Sequence, residues 1–165
     1  MNRRLIVMRH AKSSWAEPGM PDHARPLNDR GIRDAPNVAR KLCEIGWSPE
    51  IVLSSDARRT RQTFSLMSDE LPGVECHFSN ELYLSSIREV VAQVATVPVE
   101  KQSVMVLGHN PGWEHVVQYL CGEEVVMKTA TAALLTLQSE SWNDAMRCAG
   151  SWELLDVIYP REIDS

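Results

Sequence analysis

Residues 5–13, which read LIVMRHAKS, join a short apolar run to an arginine and a histidine. A second apolar run, VMVL at 104–107, leads in the same way into GHNPG at 108–112. Short continuous apolar runs are typical of strands buried in a parallel sheet. Ligands of open α/β sheets bind outside the carboxyl ends of such strands. We therefore expect His10 and His109, which follow these two runs, to face one crevice.

A third run supplies positive charge to the same crevice. Residues 51–55 (IVLSS) are followed closely by Arg58, Arg59 and Arg61. Arginine binds phosphate oxygens through paired N–H groups, so imidazoles surrounded by guanidinium groups suit a dianion. These residues predict a phosphate pocket in which a histidine can attack the bound group.

The order of the apolar patterns predicts a three-layer α/β/α sandwich. Strands and helices alternate four times, and two further strands at 132–137 and 152–157 are expected to form a hairpin. The sheet should therefore be mostly parallel, with antiparallel strands near the C-terminus. The alternating elements are predicted as strands at 5–8, 51–53, 75–78 and 104–107, and helices at 31–45, 56–71, 87–97 and 111–122.

Composition is that of one soluble domain of 165 residues, 44% of them hydrophobic and 24% charged. The net charge of −5 argues against nucleic acid as a partner. No apolar run reaches the length that spans a bilayer, so a membrane partner is not expected either. The four cysteines form no CxxC pair and are expected to be reduced thiols in the cytoplasm.

Several other phosphatase and hydrolase sites lack their essential residues here. Gly-Lys-[Ser/Thr], Asp-x-Asp and His-Glu-x-x-His are all absent from the chain. Cysteine phosphatases need an arginine six residues after the cysteine, but those positions hold Pro49, Leu82, Met127 and Leu154. Histidine remains as the nucleophile, since a neutral imidazole (pKa ~6.5) offers a free lone pair. No metal or other cofactor is expected, because the arginines supply the charge that stabilises a transferring phosphoryl group.

Arg9-His10-Ala11 resembles the Arg-His-Gly signature of the histidine phosphatase, or phosphoglycerate mutase-like, superfamily, with alanine in place of the usual glycine. The chain most resembles the short SixA-type phosphohistidine phosphatases. The stretches that carry the resemblance, in the family's order, are 8–15 (MRHAKSSW), 25–31 (RPLNDRG), 54–63 (SSDARRTRQT), 81–83 (ELY) and 108–112 (GHNPG).

The resemblance implies one histidine phosphatase domain over residues 1–165 and a phosphohistidine intermediate. It makes His10 the nucleophile and places Arg9, Arg59 and His109 around the phosphate. Spacing to Gln62-Thr63 selects Arg59, although the adjacent Arg58 is the alternative. The chain departs from the pattern at two further positions, with Asp56 where proline is usual and Thr60 where alanine is usual.

Residues 14–28 contain three prolines and few apolar side chains, which predicts a loop over the crevice. Arg25 in this loop either binds substrate or tethers the loop. Lys12 and Ser13, which follow the nucleophile, are further candidate substrate contacts. The remaining histidines, His23, His77 and His115, are given no role.

Glu81 is the candidate general acid. Hydrolysis of a phosphate ester needs an acid to protonate the leaving oxygen, and mutase-like relatives place a carboxylate after the third strand. The alternative is a structural glutamate that caps a loop. A phosphoramidate needs less help, because its nitrogen leaving group can itself be protonated.

The segment between Arg59 and His109 is short, and the resemblance implies that mutases and acid phosphatases carry a longer capping insertion there. We therefore expect an open site, suited to phosphohistidine on a protein such as a histidine-phosphotransfer domain. The alternatives are a phosphatase for a small phosphorylated metabolite or nucleotide and a non-catalytic phosphate-binding module. The physiological substrate and the oligomeric state are left open.

Overall fold

A computed structural model describes residues 1–163 and contains one six-stranded sheet. The strands lie in the order β3-β2-β4-β1-β5-β6. The first four pair in parallel, whereas β5 runs antiparallel to both β1 and β6. This arrangement confirms the predicted mostly parallel sheet with antiparallel strands near the C-terminus. The strands are β1 (Asn2–Arg9), β2 (Ile51–Ser55), β3 (Glu75–Ser79), β4 (Ser103–Gly108), β5 (Ala132–Gln138) and β6 (Glu153–Ile158).

Helices connect the strands and cover both faces of the sheet. They are α1 (Asp29–Glu44), α2 (Arg58–Ser68), α3 (Ile87–Ala95), α4 (Gly112–Cys121) and α5 (Trp142–Met146). The first four were predicted; α5, between the paired strands β5 and β6, has five residues and is too short to show a helical period. None of the described helices combines the length and apolar character needed to cross a membrane.

Two apolar cores lie on opposite faces of the sheet. Successive side chains of a strand point to opposite faces, so Leu5 and Val7 of β1 pack on the side of α3, α4 and α5. Ile6 and Met8 pack on the other side, against α1 and α2. All four side chains are completely buried. The continuous apolar run in β1 is thus explained by a strand covered on both faces.

The strand order brings the predicted functional residues together at one edge. Because β1 and β4 are parallel neighbours with Arg9 paired to Gly108, His10 and His109 follow adjacent strand ends. The next strand on the other side of β4 is β2, which ends at Ser55. The crevice therefore opens at the carboxyl ends of the three central parallel strands, as the sequence predicts.

Candidate active site

His10 is held by the two strand ends around it and has a defined proton position. Its backbone N–H donates to the carbonyl of Gly108 at 3.0 Å, and its carbonyl accepts from the N–H of Ala130 at 2.9 Å. Ring atom Nδ1 lies 2.6 Å from the carbonyl oxygen of Ala11. A carbonyl only accepts, so Nδ1 carries the proton in the neutral ring and Nε2 carries the lone pair. Nε2 is therefore the atom able to attack.

The surroundings of His10 keep this ring uncharged. Burial lowers its pKa to about 3, and the nearby positive charges of Arg59 and Arg9 act in the same direction, against the raising effect of the bond to Ala11. Only 5% of His10 is exposed. A protonated imidazole has no free lone pair, so this environment preserves the nucleophilic form at neutral pH.

Arg59 joins both imidazoles to the loop that covers the crevice. Its Nε donates to His10 Nε2 at 3.3 Å, and its Nη2 lies 3.2 Å from His109 Nδ1. The other edge of the guanidinium donates to Asp22, with Nη1 2.8 Å from the backbone carbonyl and Nη2 3.0 Å from the carboxylate. The neighbouring Arg58 is exposed and donates to the carbonyl of Ala24 at 3.3 Å. The structure thus places Arg59, and not Arg58, against the nucleophile.

His109 is neutral in this state, and its two ring nitrogens have different roles. Arginine only donates, so Nδ1 accepts from Arg59, and Nε2–H donates to the Ser55 hydroxyl at 2.7 Å. Burial, together with the neighbouring His10 and Arg59, lowers the pKa of His109 to about 2. A phosphoryl dianion in place of the Arg59 contact would favour the protonated ring, which could then donate to a phosphoryl oxygen.

Arg9, the last residue of β1, provides a donor that the protein itself does not use. Its Nη1 donates to the carbonyl of Met127 at 3.0 Å. Its Nε is buried and has no hydrogen-bond partner among residues 1–163. An unpaired buried donor is costly, and a phosphoryl oxygen in the crevice would supply its acceptor.

Asp22 is a site residue that sequence reasoning missed. It lies in a short 3-10 turn of the predicted loop, and its carboxylate accepts from Arg59, from the Tyr83 hydroxyl at 2.5 Å and from Arg25 Nε at 3.1 Å. Burial raises the pKa of Asp22, but the hydrogen bonds from Tyr83 and Arg59 outweigh it and lower the pKa to about 2. The ionised carboxylate ties the loop to the phosphate pocket. An acidic residue in a loop rich in polar residues gave no motif by which to find it.

Comparisons with known proteins agree with this geometry. The sequence profile of the histidine phosphatase superfamily (branch 1) matches residues 5–83. Two solved structures of SixA, each assigned as a phosphohistidine phosphatase, share the fold over nearly the whole chain. The one from Nakamurella multipartitia is 28% identical, with a TM-score of 0.86 and 97% of both chains covered. The one from Agrobacterium tumefaciens is 30% identical, with a TM-score of 0.82 and 96% and 98% covered.

This chain belongs to the histidine phosphatase superfamily, as a SixA-type member. It is also 35% identical to an uncharacterized chloroplastic protein of Arabidopsis thaliana, over 97% of this chain and 79% of that protein. The family and the enzyme class predicted from the sequence, a hydrolase that removes phosphate with a histidine-based site, are confirmed. The roles given to single residues stay predictions, which the geometry supports to different degrees.

Arg25 of the phosphatase tethers its loop. Its Nη1 donates to the Ser13 hydroxyl at 2.7 Å, and its guanidinium lies 3.6 Å from the centre of the Trp15 ring. With the bond to Asp22, these contacts join both ends of the loop. These contacts are those of a tether, and a role of Arg25 in substrate binding stays a prediction. The Ser13 hydroxyl is engaged in the same contact, and its role in substrate binding stays a prediction.

Lys12 holds the loop through its backbone. Its carbonyl accepts from the N–H of Asn28 at 3.0 Å. A Cβ atom at Gly31 would lie 2.3 Å from the same carbonyl, so only glycine allows α1 to approach this closely. The Lys12 side chain is half-buried, and its contact with substrate stays a prediction.

His23, which was given no role, lies at the rim of the site. Its Nε2 is 2.8 Å from an Asp56 carboxylate oxygen, and its ring meets the edge of Tyr83 at 4.8 Å. Asp56, one of the departures from the family pattern, thus has a partner from the loop. By contrast, His115 is exposed on α4.

Glu81, the candidate acid, is exposed on the 3-10 turn that follows β3. Its carboxylate accepts from the side-chain amide of Gln93 in α3 at 2.8 Å. Its side-chain hydrogen bonds among the described residues include no contact with His10, Arg9, Arg59 or His109. The role of Glu81 as an acid stays a prediction.

Proposed function

We propose that the enzyme removes phosphate from phosphohistidine in proteins, through an intermediate on His10 Nε2. The observation that carries this proposal is that, among residues 1–163, the carboxylate hydrogen-bonded to Arg59 is that of Asp22, whereas the side chain of Glu81 bonds to α3. Asp22 has a pKa of about 2 and is ionised at neutral pH, and Glu81 is hydrogen-bonded to Gln93. An alkoxide leaving group needs a strong proton donor, whereas an imidazole leaving group carries a nitrogen that is readily protonated.

The first step transfers the phosphoryl group to the enzyme. The substrate ring enters with a proton on its non-phosphorylated nitrogen. The lone pair of His10 Nε2 forms a bond to phosphorus while the bond from phosphorus to the substrate ring breaks, and the ring keeps that proton and leaves as neutral imidazole. Arg9, Arg59 and His109 would share the charge of the three equatorial oxygens. The contacts of Arg59 with the two imidazoles are the ones that these oxygens would replace.

The second step hydrolyses the phosphohistidine and regenerates the free enzyme. Water attacks phosphorus, the bond to His10 Nε2 breaks, and inorganic phosphate leaves with the proton lost by the water. The Nδ1 proton stays on its bond to the Ala11 carbonyl throughout, so His10 alternates between nucleophile and leaving group without turning its ring. Fixing one tautomer in this way removes an orientation cost from both steps.

The openness of the site supports a substrate whose phosphate is attached to a protein surface. Between Arg59 and His109 the chain forms the rest of α2, then β3, a 3-10 turn, α3 and β4, all of them elements packed on or in the sheet. Two large apolar side chains are exposed: Trp15, in the loop, is 74% exposed, and Leu84, next to Tyr83 in the chain, is 59% exposed. A phosphorylated histidine-phosphotransfer domain is the partner class that we expect. We also expect the enzyme to act in the cytoplasm, on the basis of four unpaired cysteines.

A substrate panel tests the proposal. The values of kcat/KM are compared for a phosphohistidine-carrying phosphotransfer domain, a phosphohistidine peptide and a set of alkyl phosphates and nucleotides, with His10→Ala as the control for contaminating activity. We expect the protein substrate to rank first and the alkyl phosphates last. Efficient turnover of one alkyl phosphate with none of phosphohistidine would make the protein a metabolite phosphatase. Binding without turnover of any substrate would make it a phosphate-binding module.

A further inference from the structure

A cavity of about 240 Å³ lies beside His109 and is not used by the phosphate pocket. One wall is the segment 84–86, and the other is the start of α4 with Asn110 and His115. The cavity is several times larger than the roughly 30 Å³ that a water molecule occupies, so a small ring fits. His109 contributes to both, so the cavity and the phosphate pocket are adjacent.

The chemistry of the cavity contrasts with that of the phosphate pocket. Apolar Leu84 and Pro111, serine hydroxyls, an amide and two imidazoles line it, and no lysine, arginine, aspartate or glutamate does so among the described residues. A leaving group that bears a second phosphate or a carboxylate would lose hydration there without meeting a cation. An uncharged leaving group suffers no such penalty.

Asn110, one of the lining residues, carries an acceptor without a partner among residues 1–163. Its Nδ2 donates to Glu114 at 3.0 Å and to the carbonyl of Met127 at 2.8 Å, which sets the orientation of the amide. Its Oδ1 is buried and has no hydrogen-bond partner among residues 1–163. Buried acceptors are normally paired. A ring that bears an N–H, such as imidazole, could donate a hydrogen bond to this acceptor, whereas a plain hydrocarbon ring could not.

The backbone of the opposite wall is built with strain. Leu84 has φ = 49°, a left-handed conformation that leucine rarely adopts, and its side chain is nevertheless largely exposed. The next residue is held against α4, because a Cβ at Gly112 would lie 2.3 Å from the Ser85 carbonyl oxygen. Strain that the surroundings maintain is typical of ligand-binding segments.

We propose that this cavity receives the leaving group and selects an uncharged nitrogen-containing ring, the imidazole of phosphohistidine, over a leaving group that bears a second anion. This inference rests on the proposed function and names the part of the site that recognises its substrate. Leu84 is the specificity-determining residue, since it forms the apolar wall.

Leu84→Gly tests the subsite without threatening the fold, because glycine adopts a positive φ freely. Three substrates are compared: phosphohistidine, p-nitrophenyl phosphate, which has an aryl leaving group, and phosphoramidate, which has no ring. We expect kcat/KM to fall about ten-fold for the first two, as for a lost apolar contact in a binding pocket, and to change less than about two-fold for phosphoramidate. The matched control, Leu155→Gly, makes the same change on an exposed leucine of β6 that does not line the cavity.

Leu84→Lys tests the charge preference at the same backbone position. A cation in the neutral cavity should raise kcat/KM for 3-phosphoglycerate relative to phosphohistidine by about ten-fold or more, because the carboxylate then has a partner. An unchanged ratio overturns the charge selection. Equal losses on all three substrates in Leu84→Gly, or no loss on the ring substrates, overturn the subsite.

The two proposals fail in different ways. If the wild-type enzyme does not hydrolyse phosphohistidine, the proposed function and the imidazole assignment fall, and a selective loss on p-nitrophenyl phosphate would leave a subsite for rings of another kind. If phosphohistidine is hydrolysed but Leu84→Gly turns it over at the wild-type rate, the proposed function stands and this cavity is not its subsite.

Discussion

Two almost completely buried arginines, one near each end of β1, have different kinds of hydrogen-bond partner. Arg3 at the amino end is completely buried, and Arg59 at the carboxyl end is 3% exposed. Arg59 contacts two imidazole nitrogens and a carboxylate from a loop. Among residues 1–163, Arg3 donates only to backbone carbonyls, namely those of Val99, Lys101, Ser139 and Glu140, at 2.7 to 3.1 Å.

The comparison shows that burial of a guanidinium does not by itself mark a functional site. The carbonyl partners of Arg3 belong to the folded backbone and cannot be replaced by a ligand, so Arg3 holds the chain together. The imidazole partners of Arg59 give up their contacts when a phosphoryl oxygen arrives. The nature of the partners distinguishes a structural arginine from one that binds an anion.

The largest effect is expected from His10→Ala, which removes the nucleophile at the carboxyl end of β1. We expect kcat to fall by about 10⁴-fold or more, in the range found when a nucleophile is deleted. Incubation of the wild-type enzyme with a labelled phospho-donor, quenched in alkali, should place an acid-labile label on His10. Full activity of the variant, or a label on another residue, contradicts the mechanism.

Arg59→Ala should cost about 10²-fold or more in kcat, because one preorganised set of donors to the transferring group is lost. His109→Ala is expected to fall in the same range. Steady-state kinetics with phosphoramidate measures both, and circular dichroism checks that each variant is folded. If either variant keeps more than about half of the wild-type kcat, that residue does not stabilise the transition state.

Arg3→Met should reverse the pattern seen for Arg59. Several buried carbonyls lose their donor, so the free energy of unfolding should drop by about 2–4 kcal/mol while kcat stays unchanged. Urea denaturation and kinetics on the same preparation test the contrast. A large loss of kcat in folded Arg3→Met would show that the two ends of β1 are coupled.

The smallest effect is expected on the pKa of His10 when a nearby charge is removed. This pKa lies near 3 in the folded state because of burial and nearby positive charge. NMR of the ring should show a neutral His10 at pH 5, where an ordinary imidazole with a pKa of ~6.5 is protonated. Arg59→Gln should raise this pKa by removing one charge, and Arg3→Met should leave it unchanged. An ordinary His10 titration in the wild-type enzyme contradicts this account.

The same shift makes stability depend on pH in a defined direction. Between the folded value of about 3 and the unfolded value of ~6.5, the unfolded chain binds more protons at His10 than the folded chain does. The contribution of His10 to stability is therefore complete above pH ~6.5 and is lost as the pH falls towards 3. Urea denaturation at pH 7 and pH 5 measures the loss, which His10→Ala should reduce.

Much of the fold and the centre of the site could be predicted because they follow from local patterns. The run before Arg9 and His10 identified a strand buried on both faces, and the run before His109 identified its neighbour. The short α5 could not be found, since five residues do not span enough turns to show a period. The contact of Arg25 with Ser13 and Asp22 was not predicted, because the path of a loop depends on what lies beneath it.

The sequence by itself determined the order of the elements, the strand ends that carry His10 and His109, and the family of the enzyme, because period and motif are written in consecutive residues. Only the tertiary structure decided that Asp22 accepts from both Arg59 and Tyr83, that His10 holds its proton on Nδ1, and that Glu81 turns to α3. Except for the bond of His10 to its neighbour Ala11, these contacts join residues that are separated in the chain. They depend on burial and on charges that come within a few ångströms of each other only when the sheet has formed.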